Sequence, residues 1–491
     1  MTPPESNSLF PSASLLSNGS HLLAHRPVKF SEPIGASGNG SSQLTLRPAP
    51  TSSLAEADYD VDVDSGFLPP QMPLCRLVGE PWNVWEEAWD STSGFRPGIG
   101  EDDDQRIRAW RRYIREEMPV IDVKPLQDQG VVELRRAHSL LAFLTHTYVH
   151  SEARKVVLQD DYQVIIPRAL AIPFCAVSDI LDIPPILTYA DTVLYNWKLK
   201  NQALGFTVDN VEIPSTFTRS VSESHFFKTS LLIETIGPQC LRSMRSSLDE
   251  AFIGDEKSVR RIGEHLVALV INIKCITSFL NDVRTACDPR EFYWEIRPWF
   301  NGGKWIMEGV PALPGPWRVT EFGGPSAGQS TLIHSLDVFL GVDHSPRPGE
   351  MSKEETFMKR MAAYMPHFHR RFLQHLFSYT GEIRSLVLSS GSKSLLATRY
   401  NSAVAALEEL RNSHSRVALF YIISQSRTEP PIGSAFISEW EEKMVAEWKK
   451  QQLALSREPG NETVHTGTGG TDLAKFLKRC RERTTEALIQ N

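Results

Sequence analysis

The stretch Tyr364-Met365-Pro366-His367-Phe368-His369-Arg370-Arg371-Phe372-Leu373 holds the residue types best suited to chemistry in this 491-residue chain. Pro366 suits the first turn of a helix, where its missing N–H would find no partner anyway. Counting from His369, Phe372, Leu373 and Leu376 fall on one helix face. An imidazole on an apolar face is what a haem iron takes as its axial ligand. An ordinary hydrogen-bonded core histidine has the same surroundings. His367 and His375 close by, and His334 one helix earlier, are the competing candidates.

Two other motifs suggest different chemistry. Gly324-Pro325-Ser326-Ala327-Gly328 has the Gly-x-Ser-x-Gly pattern of a hydrolase nucleophile elbow. That elbow needs a strand before the serine and a helix after it, within an α/β sheet. A Gly/Pro/Trp loop precedes it here, so the serine reads as a loop residue. Gly467-Thr468-Gly469-Gly470-Thr471-Asp472 resembles a phosphate-cradling loop, but it has no Walker lysine. Its plainer reading is a turn ending in a Thr/Asp helix cap. The fourteen histidines form no His-Glu-x-x-His pair, which disfavours a zinc hydrolase.

The elements that must position these residues read as helices. Leu134, Ala137, His138, Leu141, Leu144 and Tyr148 recur at three- and four-residue spacing over 131–150. Pro184-Pro185 opens a segment running to about Lys198. Further periodic stretches cover 224–252, 258–283, 329–342, 353–365, 367–391, 395–424 and 471–489. Glu101-Asp102-Asp103-Asp104 reads as a solvated helix start. Strands and helices do not alternate, so a parallel α/β sheet is not expected. Residues 298–328 and 425–470 read as long loops, the second with a short helix near 436–455. Residues 1–56 are rich in Ser, Pro and Gly and read as a disordered tail. The expected fold is mainly α. A small mixed domain over 57–217 covers the distal pocket, and a larger helical domain over 218–491 carries the mobile loop 425–470.

Composition excludes several classes. A net charge of -7 leaves no basic footprint for nucleic acid and no polybasic membrane patch. No apolar run approaches the ~18 residues needed to span a bilayer. The N-terminus has prolines and Glu5 where a signal peptide would be basic and then apolar. The six cysteines are scattered, with no Cys-x-x-Cys pair, which argues against disulfides and against a zinc or iron–sulfur site. A cytoplasmic protein is expected.

Several ordered segments together resemble the indoleamine 2,3-dioxygenase family of haem enzymes, over about 57–491. They begin with Asp58-Tyr59-Asp60-Val61 and Gly66-Phe67-Leu68-Pro69, then Ile166-Pro167-Arg168 and Leu181 to Asp191. Asn196-Trp197-Lys198, Phe226 to Glu234 and Phe292-Tyr293-Trp294-Glu295-Ile296-Arg297 follow. Ser326 to Ser330 with Asp337, Met365-Pro366 with His369-Arg370, Gly467 to Asp472 and Thr484-Thr485-Glu486 complete the set.

The resemblance implies one ferrous haem b per chain with His369 as its ligand, and Ser326 and Asp337 in the haem environment. It implies Arg297 as a fork for the substrate carboxylate, since a guanidinium matches a carboxylate with two charge-assisted hydrogen bonds. Tyr189, Thr192, Val193, Phe226, Phe292 and Tyr293 would line the indole pocket. Ser230 would sit near the indole N–H, Ser326 and Ala327 near O2, and Thr468 would close over the substrate. Tyr293 stands where most of the family has phenylalanine, Pro325 replaces a glycine, and Asn301 replaces a serine. The implied reaction opens the indole 2,3-bond of L-tryptophan with O2 to give N-formyl-L-kynurenine. That places the enzyme in tryptophan catabolism and NAD biosynthesis. The implied partners are L-tryptophan or a related indoleamine, O2 and a cellular reductant, with no nucleic acid or membrane, for a monomer. The competing readings are a low-affinity member acting on another indole or as a haem or redox sensor, and a non-catalytic helical interaction protein.

Overall fold

The computed structural model describes residues 56–157, 163–311, 321–345, 357–437, 441–446 and 473–490. The 1–55 part of the expected tail and the 447–470 part of the 425–470 loop, Thr468 included, lie outside the described residues. Eleven elements position the site. They are α1 (Val131–His150), β1 (Val164–Ile166), α2 (Arg168–Leu181), α3 (Val221–Glu234), α4 (Gly237–Ile253) and α5 (Glu256–Asp282). Then come β2 (Trp305–Met307), α6 (Thr331–Phe339), α7 (His367–Phe377), α8 (Leu395–Ala418) and α9 (Leu473–Glu486).

The fold is mainly α, as expected. Local chemistry accounts for the helix starts. Ser220, Asp255, Ser330 and Ser394 each accept a hydrogen bond from the backbone two or three residues into α3, α5, α6 and α8. Asp104 does the same for the helix Gln105–Arg112, so the acidic run does open a helix. α1 has the bounds its periodicity predicts.

Three expectations need correction. The stretch 224–252 is two helices, because the chain turns at Thr235-Ile236 and restarts with Gly237-Pro238. The stretch 367–391 is also two, parted at Gly381, whose φ of 88° suits only glycine well. The segment 184–198 forms only a π-helical turn, Ala190–Leu194.

Sheet is sparse. β1 pairs with β2 in parallel, Ile165 opposite Ile306, and Lys198–Leu199 pairs antiparallel with Val211–Glu212. The parallel pair pins the start of the 298–328 loop and gives it an anchor that its composition hides.

Two large apolar cores form. One joins Trp85, Trp89, Phe143 and Phe217 to Phe227, Trp299 and Tyr421, so it draws on both sides of residue 217. Phe217 stacks on Trp299 with ring centroids 5.2 Å apart. The other packs α4, α5, α6 and α8, with Ile262, Leu266, Leu269, Ile273 and Ile276 as the buried stripe of α5. By length and composition, the helical run 256–285 is apolar enough to cross a membrane, contrary to the expectation that no stretch comes near. Only one face of it is buried, and Lys274 lies within its length.

Candidate active site

A large cavity opens where the two cores meet. It draws on Phe227, Phe292 and Tyr421 of the first core and on Ile276, Leu407 and Leu410 of the second. It holds about 1980 Å³ of empty space, its mouth included. Its enclosed volume is about 300 Å³, at the lower end of the ~300–1,000 Å³ usual for a small-ligand pocket.

Three π-helical turns contribute to the wall. Ala190–Leu194 supplies Thr192 and Val193, Phe292–Ile296 supplies Phe292, and Leu419–Ser424 supplies Tyr421 and Ile422. A π-helical turn re-aims side chains within a helical path, and such turns recur at functional sites.

Nine of the residues singled out from the sequence meet in this cavity: Tyr189, Thr192, Val193, Phe226, Ser230, Phe292, Arg297, Ser326 and Ala327. Phe226 and Phe292 pack with ring centroids 4.7 Å apart, making an apolar wall for a flat ring. Arg297 is the cationic member of that wall. Burial lowers its pKa, the nearby Tyr293 opposing, and its guanidinium lies 5.6 Å from the Tyr293 ring centroid. Ser326 and Ala327 sit on a loop pressed against the 297–301 segment. A Cβ on Gly324 would fall 1.7 Å from the Phe300 carbonyl oxygen, so only glycine fits there.

Ser326 is no hydrolase nucleophile. Its Oγ accepts from the Gly328 N–H at 3.2 Å, and no histidine hydrogen-bonds it among the described residues. The neighbouring His334 is engaged at 2.8 Å with the Gly328 carbonyl. No strand–elbow–helix unit surrounds it among the described residues.

Three of the sequence candidates stand outside the lining, Tyr293, His369 and Asp337. Tyr293 is not in the cavity lining; its ring packs edge-on to Trp294 at 4.8 Å. It therefore adds no hydroxyl to the indole pocket. His369 is also outside the lining. It is buried on α7 with its ring 5.1 Å from Phe67, and its Nε2 lies 3.2 Å from the Asp60 carbonyl oxygen. Its Nδ1 has no hydrogen-bond partner among the described residues. Its apolar face meets the second core and not the cavity. His367, the neighbour, is 2.5 Å from Asp182 Oδ2.

The histidine that does reach the cavity is His414 on α8, which the sequence reading passed over. Leu407, Leu410 and Val417 share its face and also line the cavity. Burial pushes the His414 pKa down, and Arg411 adds to the effect, so the imidazole is neutral with a lone pair to give.

One turn earlier, Arg411 is clamped by Asp337 of α6, with Nη2 2.5 and 2.6 Å from the two carboxylate oxygens. His344 Nε2 lies 2.8 Å from Asp337 Oδ2. Burial works against the Asp337 charge, yet Arg411 and His344 outweigh it and hold its pKa at about 2. Arg411 also donates to Thr484 and to the Cys480 carbonyl, tying α9 to α8. Asp337 thus stands behind α8, outside the lining itself. The signal that could have found His414 is the pair Arg411/His414 at i, i+3 on an apolar-faced helix.

A neutral imidazole and two apolar walls around a large cavity are the donor set of a haem protein. The known proteins agree. The family model described as Indoleamine 2,3-dioxygenase matches residues 55–487. Indoleamine 2,3-dioxygenase of Saccharomyces cerevisiae is 30% identical over 457 residues, 89% of this chain and 94% of that protein. Indoleamine 2,3-dioxygenase 1 of Rattus norvegicus is 30% identical over 453 residues, 90% of this chain and 98% of that protein. A 6-hydroxytryptophan 2,3-dioxygenase of Fusarium equiseti is 27% identical over 436 residues, 88% and 97%. The protein is an oxidoreductase, a haem-dependent dioxygenase of tryptophan-like indoles. The chain belongs to the indoleamine 2,3-dioxygenase family.

Proposed function

We propose that the enzyme cleaves the indole 2,3-bond of L-tryptophan with O2, giving N-formyl-L-kynurenine, on one haem b per chain held by His414. The observation that carries this reading is His414 itself. It is a neutral imidazole lining an apolar cavity whose lining also includes Arg297, Ser230 and Ser326. When bound, ferrous haem would supply the site at which O2 is activated beside the indole ring.

The chain's own residues do the rest. Phe226 and Phe292 hold the indole flat and keep water from it. Arg297 fixes the amino-acid end through its carboxylate. The Ser230 and Ser326 hydroxyls offer short-range polar contacts on the oxygen side. Asp337 and Arg411 keep the His414 helix in register. No paired carboxylates or catalytic triad are needed, because the chain binds and orients and need not supply a strong base. On this reading residues 57–217 cover the indole side, and the enzyme works as a cytosolic monomer with a cellular reductant.

The test is formation of N-formylkynurenine by purified, haem-loaded, chemically reduced protein in aerated L-tryptophan. Rapid formation is expected, and its absence from protein that visibly holds haem would overturn the reading.

A hydroxylated indole is a second substrate to try. Thr192 lines the cavity, and its Oγ1 donates to the Thr188 carbonyl at 3.2 Å, which leaves its lone pairs able to accept from a ring hydroxyl. A higher kcat/KM for 6-hydroxytryptophan than for tryptophan would favour it.

A further inference from the structure

Glu234 is the last residue of α3, one turn beyond Ser230, and its side chain is buried. Its Oε1 accepts from the Tyr189 phenol at 2.9 Å and from the Ser330 hydroxyl at 2.6 Å. Its Oε2 has no hydrogen-bond partner among the described residues. The two donors belong to different walls of the cavity. Tyr189 leads into the turn that carries Thr192 and Val193. Ser330 ends the loop that carries Ser326 and Ala327, and caps α6. Gln329 crosses the same gap. Its Oε1 accepts from the Tyr189 N–H at 2.8 Å, and its Nε2 donates to the Gly324 carbonyl at 2.9 Å.

A carboxylate is poorly served in this position. It would leave one oxygen bare, and it would sit at the negative end of the α3 dipole. Burial raises the pKa to about 7, and the Ser330 and Tyr189 hydroxyls only partly oppose it. The titratable groups that face it are the Tyr189 phenol and, from α4, the Cys240 thiol. Burial raises both, so neither supplies charge. No lysine, arginine or histidine acts on it among the described residues.

We propose that Glu234 is a positioning residue that acts as a neutral acid, latching the Tyr189 wall of the cavity to the Ser326–Ser330 loop. Loss of its proton loosens the latch and weakens substrate binding, while the chemistry proceeds unchanged. A buried charge is relieved by admitting water, and water reaches Oε2 only if the two walls part. This rests on the tryptophan-dioxygenase reading for its substrate.

The experiment compares haem-loaded wild type with E234Q, whose amide is neutral at every pH. KM and kcat for L-tryptophan are measured from about pH 6 to about pH 8.5, with melting curves from about pH 4 to about pH 8.5. The wild-type KM should rise about three- to tenfold at steady kcat, the size of one or two hydrogen bonds, while the variant's KM stays nearly flat. The same pH dependence in both overturns the latch. S330A removes a donor that favours the ionised form, so it should move the KM midpoint to higher pH; an unmoved midpoint also overturns the latch, whether or not E234Q folds. Absence of product at every pH would sink the substrate reading and not the latch. The melting curves then decide. A carboxyl whose folded pKa is raised from 4.5 to about 7 removes stability as pH climbs between those values. Wild type should therefore lose ground to E234Q over that window, and parallel curves overturn the proposal.

Discussion

His414 and His369 make a direct contrast at the scale of single residues. Both are buried-side imidazoles on apolar helix faces, and both have lowered pKa values for the same first reason, burial. Only His414 faces the cavity. His414→Ala should abolish haem retention, read as loss of the haem absorption band after desalting. His369→Ala should keep haem and lose only the packing against Phe67 and the contact with the Asp60 carbonyl. The reverse pattern would return the ligand assignment to His369. Arg297→Ala should raise the tryptophan KM by ten-fold or more, since a charge-assisted pair contributes ~1.5–3 kcal/mol. Unchanged KM would remove Arg297 from the site.

Asp337→Ala leaves Arg411 of α8 without its carboxylate. The expected loss is about 3 kcal/mol of stability, read by denaturant unfolding of the apoprotein. The sign of the pH effect follows from the folded pKa of about 2 against an ordinary 3.8. The stability from this pair is present above about pH 4 and is lost as pH falls from there to about 2. Wild type and variant should therefore converge at the acid end.

At the scale of elements, backbone closeness sets the loop that carries Ser326 and Ala327. Gly324 lies against the Phe300 carbonyl, and Gly302 against the Phe322 carbonyl, with a Cβ at 1.7 and 2.0 Å respectively. Gly324→Ala must push this loop off the 297–301 segment that follows Arg297. Destabilisation of at least ~1–3 kcal/mol is expected, with a raised KM. A variant with normal KM and melting would mean that the loop tolerates the shift.

The same elements show how far the sequence could be read. Helix positions were legible wherever an apolar stripe ran unbroken, as in α1, α5 and α8. The breaks at Thr235-Ile236 and Gly381 were not, because hydrophobic spacing continues across them. The parallel pairing of Val164–Ile166 with Trp305–Met307 was also hidden, since three-residue strands carry too little pattern. Nine cavity residues were found through resemblance of short segments. Periodicity does not choose among the histidines, because it says that a face is apolar and not what that face meets.

For the whole molecule, the cavity's location between two cores makes it a shared property of distant chain segments. Its lining runs from Tyr189 to Cys480. The residues Leu473, Phe476, Leu477 and Cys480 of α9 follow every other lining residue in chain order. They are also fastened to α8 through Arg411, Thr484 and the Cys480 carbonyl, and Asn401 binds the backbone of Ile489. A ribosome delivers this protein from the N-terminal side at ~5–20 residues per second, and emerged segments begin to fold on the way. Until α9 has left the exit tunnel, the emerging protein has a cavity with one side missing. Enclosure of any bound group must therefore come after α9 has emerged, and a message cut short before α9 would leave the cavity without that wall.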